Sequence, residues 1–373
     1  MPGTVHVFPG QGDFAVSMLL RGAADSPPLR RTAESVFDEI DERAVGRGLR
    51  PLRRWLFGDR PPGGRELAHA APGTLQLALF GASMSVHRAL CARLGEPDAV
   101  LGVSFGEIAA LTAAGVYTVA DGAGIAHDLA LVLATCPGGL TLLSGDERAA
   151  EQLIGRADTR DVVVACVNDD AETLVGGPLA QLERVEEEAR RSGTAAVRLR
   201  LPFGSHHPSY TSQARRFARD VRRYPVAEAR TAAYSAVAGR RYEKDDDLAL
   251  RLADCLVRPV RLPDVLGRLG KLRTCDFYEA GTGSALARSV GRVLAAEGPG
   301  NGAAHGTIHG PAVRAPLADG DFDWASPADA GPPQTSGAPP QTSAGLPQTS
   351  AGLPQSSAGP PQSSAGLPGA PAR

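Results

Sequence analysis

Six residues, Gly102-Val103-Ser104-Phe105-Gly106-Glu107, confine this chain to few architectures. Ala99-Val100-Leu101 before them has the length and apolarity of a buried strand. Ile108 to Ala114 after them is rich in alanine and leucine, the mark of a helix, and stops at Gly115. A serine on a strand-to-helix turn, with glycine two residues away on each side, is the G-x-S-x-G nucleophile elbow. The turn strains the serine backbone so that its hydroxyl stands clear, and the glycines let neighbouring backbone pass closely. The amide of Phe105 then points to where a negative oxygen would develop, helped by the positive end of the helix dipole. The same spelling also occurs in ordinary glycine-flanked turns that carry a surface serine. The rest of the chain decides between the two.

With 373 residues the chain can hold two domains, or one domain with an insertion and a tail. Hydrophobic content of 43% and charged content of 21% fit a soluble globular protein. A net charge of −2 gives no reason to expect nucleic acid or a membrane surface as a partner. No apolar run approaches transmembrane length, and the amino terminus lacks a signal-peptide layout. The five cysteines are scattered without metal-ligand or redox spacing, so they read as reduced core residues of a cytoplasmic protein with no metal.

Thr4 to Phe8 reads as a buried strand broken by Pro9-Gly10-Gln11-Gly12, and a long helix runs from Leu75 towards Leu94 with Gln76 as its polar exception. A further helix spans Ala120 to Ala134. Between Leu140 and Leu201 the rhythm changes to β-α-β-β-α-β, the ferredoxin-like order. The expected fold is therefore α/β: an α/β-hydrolase-like part from 1–138 and 202–297, and an inserted ferredoxin-like part from 139–201. Past Glu297 the composition collapses into Gly, Ala, Pro and Ser, with a seven-residue repeat (PQTSAGL and variants) from Pro333. Such a segment buries too little apolar area to offset its ordering entropy, so 298–373 is expected to be a disordered tail.

Three separated motifs then line up: Phe8-Pro9-Gly10-Gln11-Gly12, the elbow at Ser104, and Ser205-His206. Together they resemble the malonyl-CoA:acyl carrier protein transacylase superfamily, which includes the acyltransferase domains of fatty acid and polyketide synthases. Gln76, Asn168 and Glu279-Ala280-Gly281-Thr282-Gly283 also fall where that family has recurrent motifs. The resemblance covers roughly the first 290 residues. It implies ping-pong acyl transfer with Ser104 as nucleophile, His206 as base, and the amides of Gln11 and Phe105 as oxyanion hole. It further implies that a main-chain carbonyl, by position near Cys255, orients the histidine. His207, beside it, falls on a variable position, and His6 reads as a packed core residue.

Two departures from the family pattern stand out. Val103 occupies the place of a common histidine before the serine. Counting from the elbow, Leu129 occupies the place of the arginine that grips the carboxylate in malonyl-selecting members. A leucine cannot compensate a buried carboxylate. The resemblance thus implies a free-standing, trans-acting acyltransferase for a non-carboxylated acyl or aminoacyl group, with substrate contacts at Gln76, Leu129 and Asn168. Phosphopantetheine thioesters, on CoA or a carrier protein, are the expected substrates, with no bound cofactor. An acyl carrier protein is the expected partner of a monomer, and Arg215, Arg216, Arg219, Arg222 and Arg223 form either its docking face or a solvated helix face. Malonyl transfer with another cation, a proofreading hydrolase acting on carriers, and a non-catalytic docking protein are the competing readings.

Overall fold

The computed structural model describes residues 3–13, 15–296 and 311–325. The expected repeats from Pro333 onwards lie outside the described residues. The chain opens with β1 (Thr4–Phe8), then α1 (Val16–Asp25) and α2 (Pro27–Gly46). Ser26 caps α2 by accepting from the Leu29 amide at 3.3 Å, with Pro27 in the first turn, where a missing N–H costs nothing. Short α3 (Leu52–Leu56) and α4 (Gly64–Ala68) lead to α5 (Thr74–Leu94), buried on nearly every side as its Ala/Leu sequence demands. Next come β2 (Ala99–Gly102), α6 (Gly106–Ala113) and α7 (Val119–Leu133), the last capped by Thr118, which accepts from the Asp121 amide at 3.0 Å.

The second rhythm of the sequence becomes β3 (Gly139–Ser144), α8 (Glu147–Arg156), β4 (Val163–Val167), β5 (Glu172–Gly177), α9 (Leu179–Arg191) and β6 (Ala196–Arg198). The chain continues with α10 (Thr211–Val221), β7 (Ala232–Ser235), β8 (Arg240–Arg241), α11 (Leu248–Val257), β9 (Val260–Arg261) and α12 (Leu262–Gly267). It closes with β10 (Asp276–Glu279), α13 (Ala285–Ala296), β11 (Val313–Arg314) and α14 (Pro316–Asp319).

Two sheets result. The six-stranded sheet runs β11-β10-β1-β2-β7-β8, parallel throughout except for β8. Its central strands β10, β1 and β2 are buried on both faces, as parallel strands covered by crossover helices must be. The five-stranded sheet runs β6-β3-β5-β4-β9. Its first four strands are antiparallel neighbours in ferredoxin-like order, whereas β9 joins β4 in parallel from much later in the chain. One apolar cluster (Val5, Val7, Leu101, Leu140, Ala165, Val260 and Phe277 among others) is shared by strands of both sheets.

One expectation fails. Residues 311–325 were assigned to the tail, yet they return to the large sheet: β11 pairs with β10, and Leu317 and Trp324 are buried in the main core cluster. The reason is local composition. Val313, Leu317, Phe322 and Trp324 supply the apolar area that the flanking Gly/Ala/Pro stretches lack, and a compositional reading over the whole segment averages them away.

Candidate active site

The turn between β2 and α6 carries Ser104 at φ 56°, in the left-handed region that a non-glycine residue occupies only under constraint. The constraint comes from its glycines. A Cβ on Gly106 would stand 2.1 Å from the Phe8 carbonyl oxygen, and one on Gly102 would stand 2.4 Å from Glu107 Cα. Both glycines serve close approach and neither has a positive φ. Glu107 pins α6 from below, fully buried: it accepts from Ser235 Oγ at 2.7 Å, from the Val237 amide at 3.2 Å and from the Tyr242 hydroxyl. Burial pushes its carboxyl up to about 7.

Across the site, His206 also sits at φ 56° and is 2% exposed. Its Nε2 lies 2.7 Å from Ser104 Oγ, and its Nδ1 lies 2.8 Å from the carbonyl oxygen of Arg258. A carbonyl only accepts, so Nδ1 carries the proton and the lone pair on Nε2 faces the serine hydroxyl. The orienting carbonyl is thus that of Arg258, three residues beyond the expected Cys255. Cys255 instead donates its thiol to the Ser104 carbonyl at 3.5 Å. Only Pro259 separates Arg258 from β9, so attachment of β9 to the small sheet helps fix the carbonyl that holds the histidine. Burial lowers the His206 imidazole to about 4, against the opposing pull of the Arg258 carbonyl, and it is neutral at pH 7. His207 points elsewhere: its Nε2 bonds to the Asp161 carbonyl at 2.9 Å and its Nδ1 to Ser209 Oγ at 2.7 Å.

The Pro9–Asp13 loop is held against the site by the Glu279–Gly283 segment. Asp13 accepts from the amides of Ser284 and Ala285 at 3.0 and 2.9 Å, capping α13. A Cβ on Gly281 would meet the Pro9 ring at 2.5 Å, so the Pro9 side chain packs directly on the Gly281 backbone. Gln11 accepts from Gln76 Nε2 at 2.9 Å, which accounts for the polar residue at the start of apolar α5.

Ser104 and His206 open into a cavity of about 300 Å³. Gln11 and Asn168 line it, together with Leu140, Leu142, Leu174, Leu199, Leu201 and Phe203. Phe105 and Leu129 are outside this lining. Leu129 is 4% exposed on α7, within the apolar cluster that also contains Phe105 and Phe203. Sequence reasoning missed Arg288, which lines the cavity from α13. No motif marks it, because its place is set by the turn of α13 against the Asp13 loop. Arg288 donates to Ser284 Oγ at 2.6 Å. The other charged linings are engaged too: Asp13 in its cap, and Glu172 with Arg292 at 3.0 Å.

The family model described as acyl transferase domain matches residues 67–275. Among curated relatives, a phenolphthiocerol synthesis polyketide synthase type I of Mycobacterium marinum is 28% identical over 298 residues, covering 78% of this chain and 14% of that protein. A spectinabilin polyketide synthase system protein of Streptomyces orinoci is 30% identical over 305 residues, covering 79% of this chain and 8% of the relative. The chain therefore spans only a small part of the curated relatives it matches. Among solved structures, the acyltransferase domain of the polyketide synthase PpsC of Mycobacterium tuberculosis superposes with TM-score 0.68 and 23% identity, covering 79% of this chain and 87% of that one. The malonyl CoA-acyl carrier protein transacylase of Coxiella burnetii gives TM-score 0.68 and 23% identity, covering 79% and 92%. A complex of a type II polyketide acyl carrier protein with its malonyl-transacylase gives TM-score 0.68 and 20% identity, covering 79% and 93%.

Proposed function

Because this chain belongs to the acyl transferase domain family, we propose that it moves an acyl group without a free carboxylate from a phosphopantetheine thioester to an acyl carrier protein. In this reading Ser104 Oγ gives its proton to His206 Nε2 and attacks the thioester carbonyl. The tetrahedral oxyanion is met by the amides of Gln11 and Phe105, each worth ~3–4 kcal/mol in comparable acyl transfer. Collapse expels the donor thiol, which takes the proton from His206, and an acyl ester remains on Ser104. The carrier-protein thiol, deprotonated by the same imidazole, then reverses the sequence. The 1–138 and 202–297 parts carry the chemistry, and 139–201 walls the acyl group.

The observation that carries the substrate reading is the cavity wall. Leu140, Leu142, Leu174, Leu199 and Leu201 face the space beside Ser104, while Leu129, at the position expected to hold a carboxylate-binding arginine, packs in the core outside that lining and offers the space no cation. An unpaired carboxylate there would cost several kcal/mol in desolvation. A second reading rests on Arg288, the cation that lines the cavity among the described residues: it would grip a malonyl carboxylate in place of the absent arginine. The two separate in one experiment. Ratios of kcat/KM for malonyl and uncharged acyl thioesters are measured on the native chain and on Arg288→Ala, with intact-protein mass spectrometry of the acyl-enzyme. A native preference for uncharged acyl groups that Arg288→Ala leaves in place supports the first reading. A malonyl preference abolished by Arg288→Ala establishes the second. Release of free acid without a carrier protein would mean that water is the acceptor and the enzyme is a hydrolase.

A further inference from the structure

His6 in β1 and His87 and Cys91 on α5 meet outside the acyl site. His87 and Cys91 are four residues apart, one above the other on the same helix face. His6 Nδ1 lies 2.9 Å from His87 Nδ1, and Cys91 Sγ lies 3.8 Å from His87 Nδ1. Glu96 Oε2 lies 3.8 Å from Cys91 Sγ. One ligand atom from each of His6, His87 and Cys91 falls within 4.8 Å of the others. For a tetrahedral zinc with bonds of about 2.0–2.1 Å to nitrogen and 2.3 Å to sulfur, ligand atoms stand roughly 3.3–3.6 Å apart. The His6–His87 and His87–Cys91 spacings need shifts of only a few tenths of an ångström, and the His6–Cys91 spacing, within 4.8 Å, closes to about 3.6 Å around the ion.

We propose that His6, His87 and Cys91, with Glu96 as fourth donor, form a binding site for a zinc-class divalent cation. Two imidazoles and a thiolate are a donor set that selects zinc-like ions over magnesium or calcium, which want oxygen. Cys91 donates its thiol to Glu96 Oε2 in the metal-free site, and a metal displaces that proton. Binding forms a sulfur–metal bond, breaks the S–H bond and releases one proton to solvent. The dication, the thiolate and the Glu96 carboxylate then sum to zero, which suits a mostly buried position. A cavity of about 810 Å³ lined by His87, Cys91 and Glu96 provides the entry path. The metal would clamp α5 to β1, whose far end carries the Pro9–Asp13 loop. Sequence spacing gave no sign of this, because His6 stands 81 residues from His87.

The test uses the untagged full chain, stripped with chelator and titrated with Zn²⁺ by equilibrium dialysis and with Co²⁺ by absorption. One zinc per chain is expected, with one proton released, a rise in thermal midpoint, and a thiolate-to-cobalt charge-transfer band. Glu96→Gln should weaken binding by at least the roughly 10–100-fold that loss of even an outer-shell partner costs, and Cys91→Ser more than that, with loss of the charge-transfer band. Cys91→Ser leaves Ser104, His206 and the cavity untouched, so its acylation rate should match the native chain and certify its fold. Failure to retain zinc, a cobalt spectrum without the thiolate band, or undiminished binding by Cys91→Ser would each overturn the site and leave a plain histidine pair. None of these outcomes depends on which acyl group the enzyme prefers.

Discussion

On the large-sheet side of the cavity, Ser104 and His206 are both held at φ 56°, and glycines at 102, 106 and 281 pass other atoms closer than any Cβ would allow. On the small-sheet side, Leu140, Leu142 and Leu174 face the same space from regular antiparallel strands with ordinary apolar side chains. The first wall is fixed by backbone, where a single added atom collides. The second is fixed by side-chain volume, which can change while the strands stay paired. A reaction mechanism needs the first kind of wall, and a choice among acyl chains needs the second. β9 stitches them together, since the strand that extends the small sheet begins two residues after the carbonyl that orients His206.

The sharpest way to break this contrast is to remove chemistry from the first wall. Ser104→Ala should abolish the acyl-enzyme seen by mass spectrometry. His206→Ala should slow acylation by about 10²–10⁴-fold, the usual contribution of a general base. His207→Ala should cost far less, because its ring is spent on the Asp161 carbonyl and Ser209. Equal losses at 206 and 207 would place the base on the wrong ring.

A second test removes the segment that composition concealed. Truncation after Pro299 takes away β11 and buried Leu317 and Trp324 on the large-sheet side. It should lower the thermal midpoint clearly, and Trp324→Ala alone should cost about 3 kcal/mol. An unchanged midpoint would mean that 311–325 adds nothing to the core.

What the sequence disclosed follows the same division. The elbow, the Ser-His dipeptide and the β-α-β-β-α-β order could be read because each is local: glycine spacing, hydrophobic period and a dipeptide all sit within a few residues. Arg258 and Arg288 could not, since a backbone carbonyl has no letter and a helix turn has no motif. Leu129 shows the converse. Counting from Ser104 gave it a position but not a direction, and its side chain packs in the core beside the cavity. The 311–325 strand was lost by averaging.

Within the second wall, volume should change preference without stopping turnover. Leu174→Ala and Leu142→Ala widen the cavity by apolar atoms only. They should shift the kcat/KM ratio between long and short acyl thioesters by about tenfold or more towards the longer chain, since a methylene in such a pocket is worth ~1–3 kcal/mol. Acylation of Ser104 by the preferred substrate should persist. If these leucine variants lost acylation as fully as Ser104→Ala, the second wall would be part of the chemistry.

The smallest expected effect concerns pH, and it too should map to one side. Glu107 and Glu279, both behind the large-sheet wall, are pushed up to about 7 by burial. Between their ordinary value of 4.5 and about 7 the folded chain holds protons that the unfolded chain has released. Their stabilising contribution is therefore complete below 4.5 and is lost as pH rises through about 7. His6, His87 and His206, lowered by burial, act in the opposite sense. Their contribution is complete above the ordinary 6.5 and is lost as pH falls, for His87 and His206 through about 4. These five groups together put a stability maximum near neutrality, with metal withheld by chelator. Glu107→Gln keeps an acceptor for Ser235 and Tyr242 and removes one titration from the alkaline side. The loss of stability between pH 6.5 and 8, read from denaturant midpoints, should shrink by on the order of 1 kcal/mol in that variant. Leu174→Ala, on the other wall, should lower stability by the same amount at every pH. An alkaline slope untouched by Glu107→Gln would show that this carboxyl is already ionised when folded, held by its three donors more strongly than burial opposes.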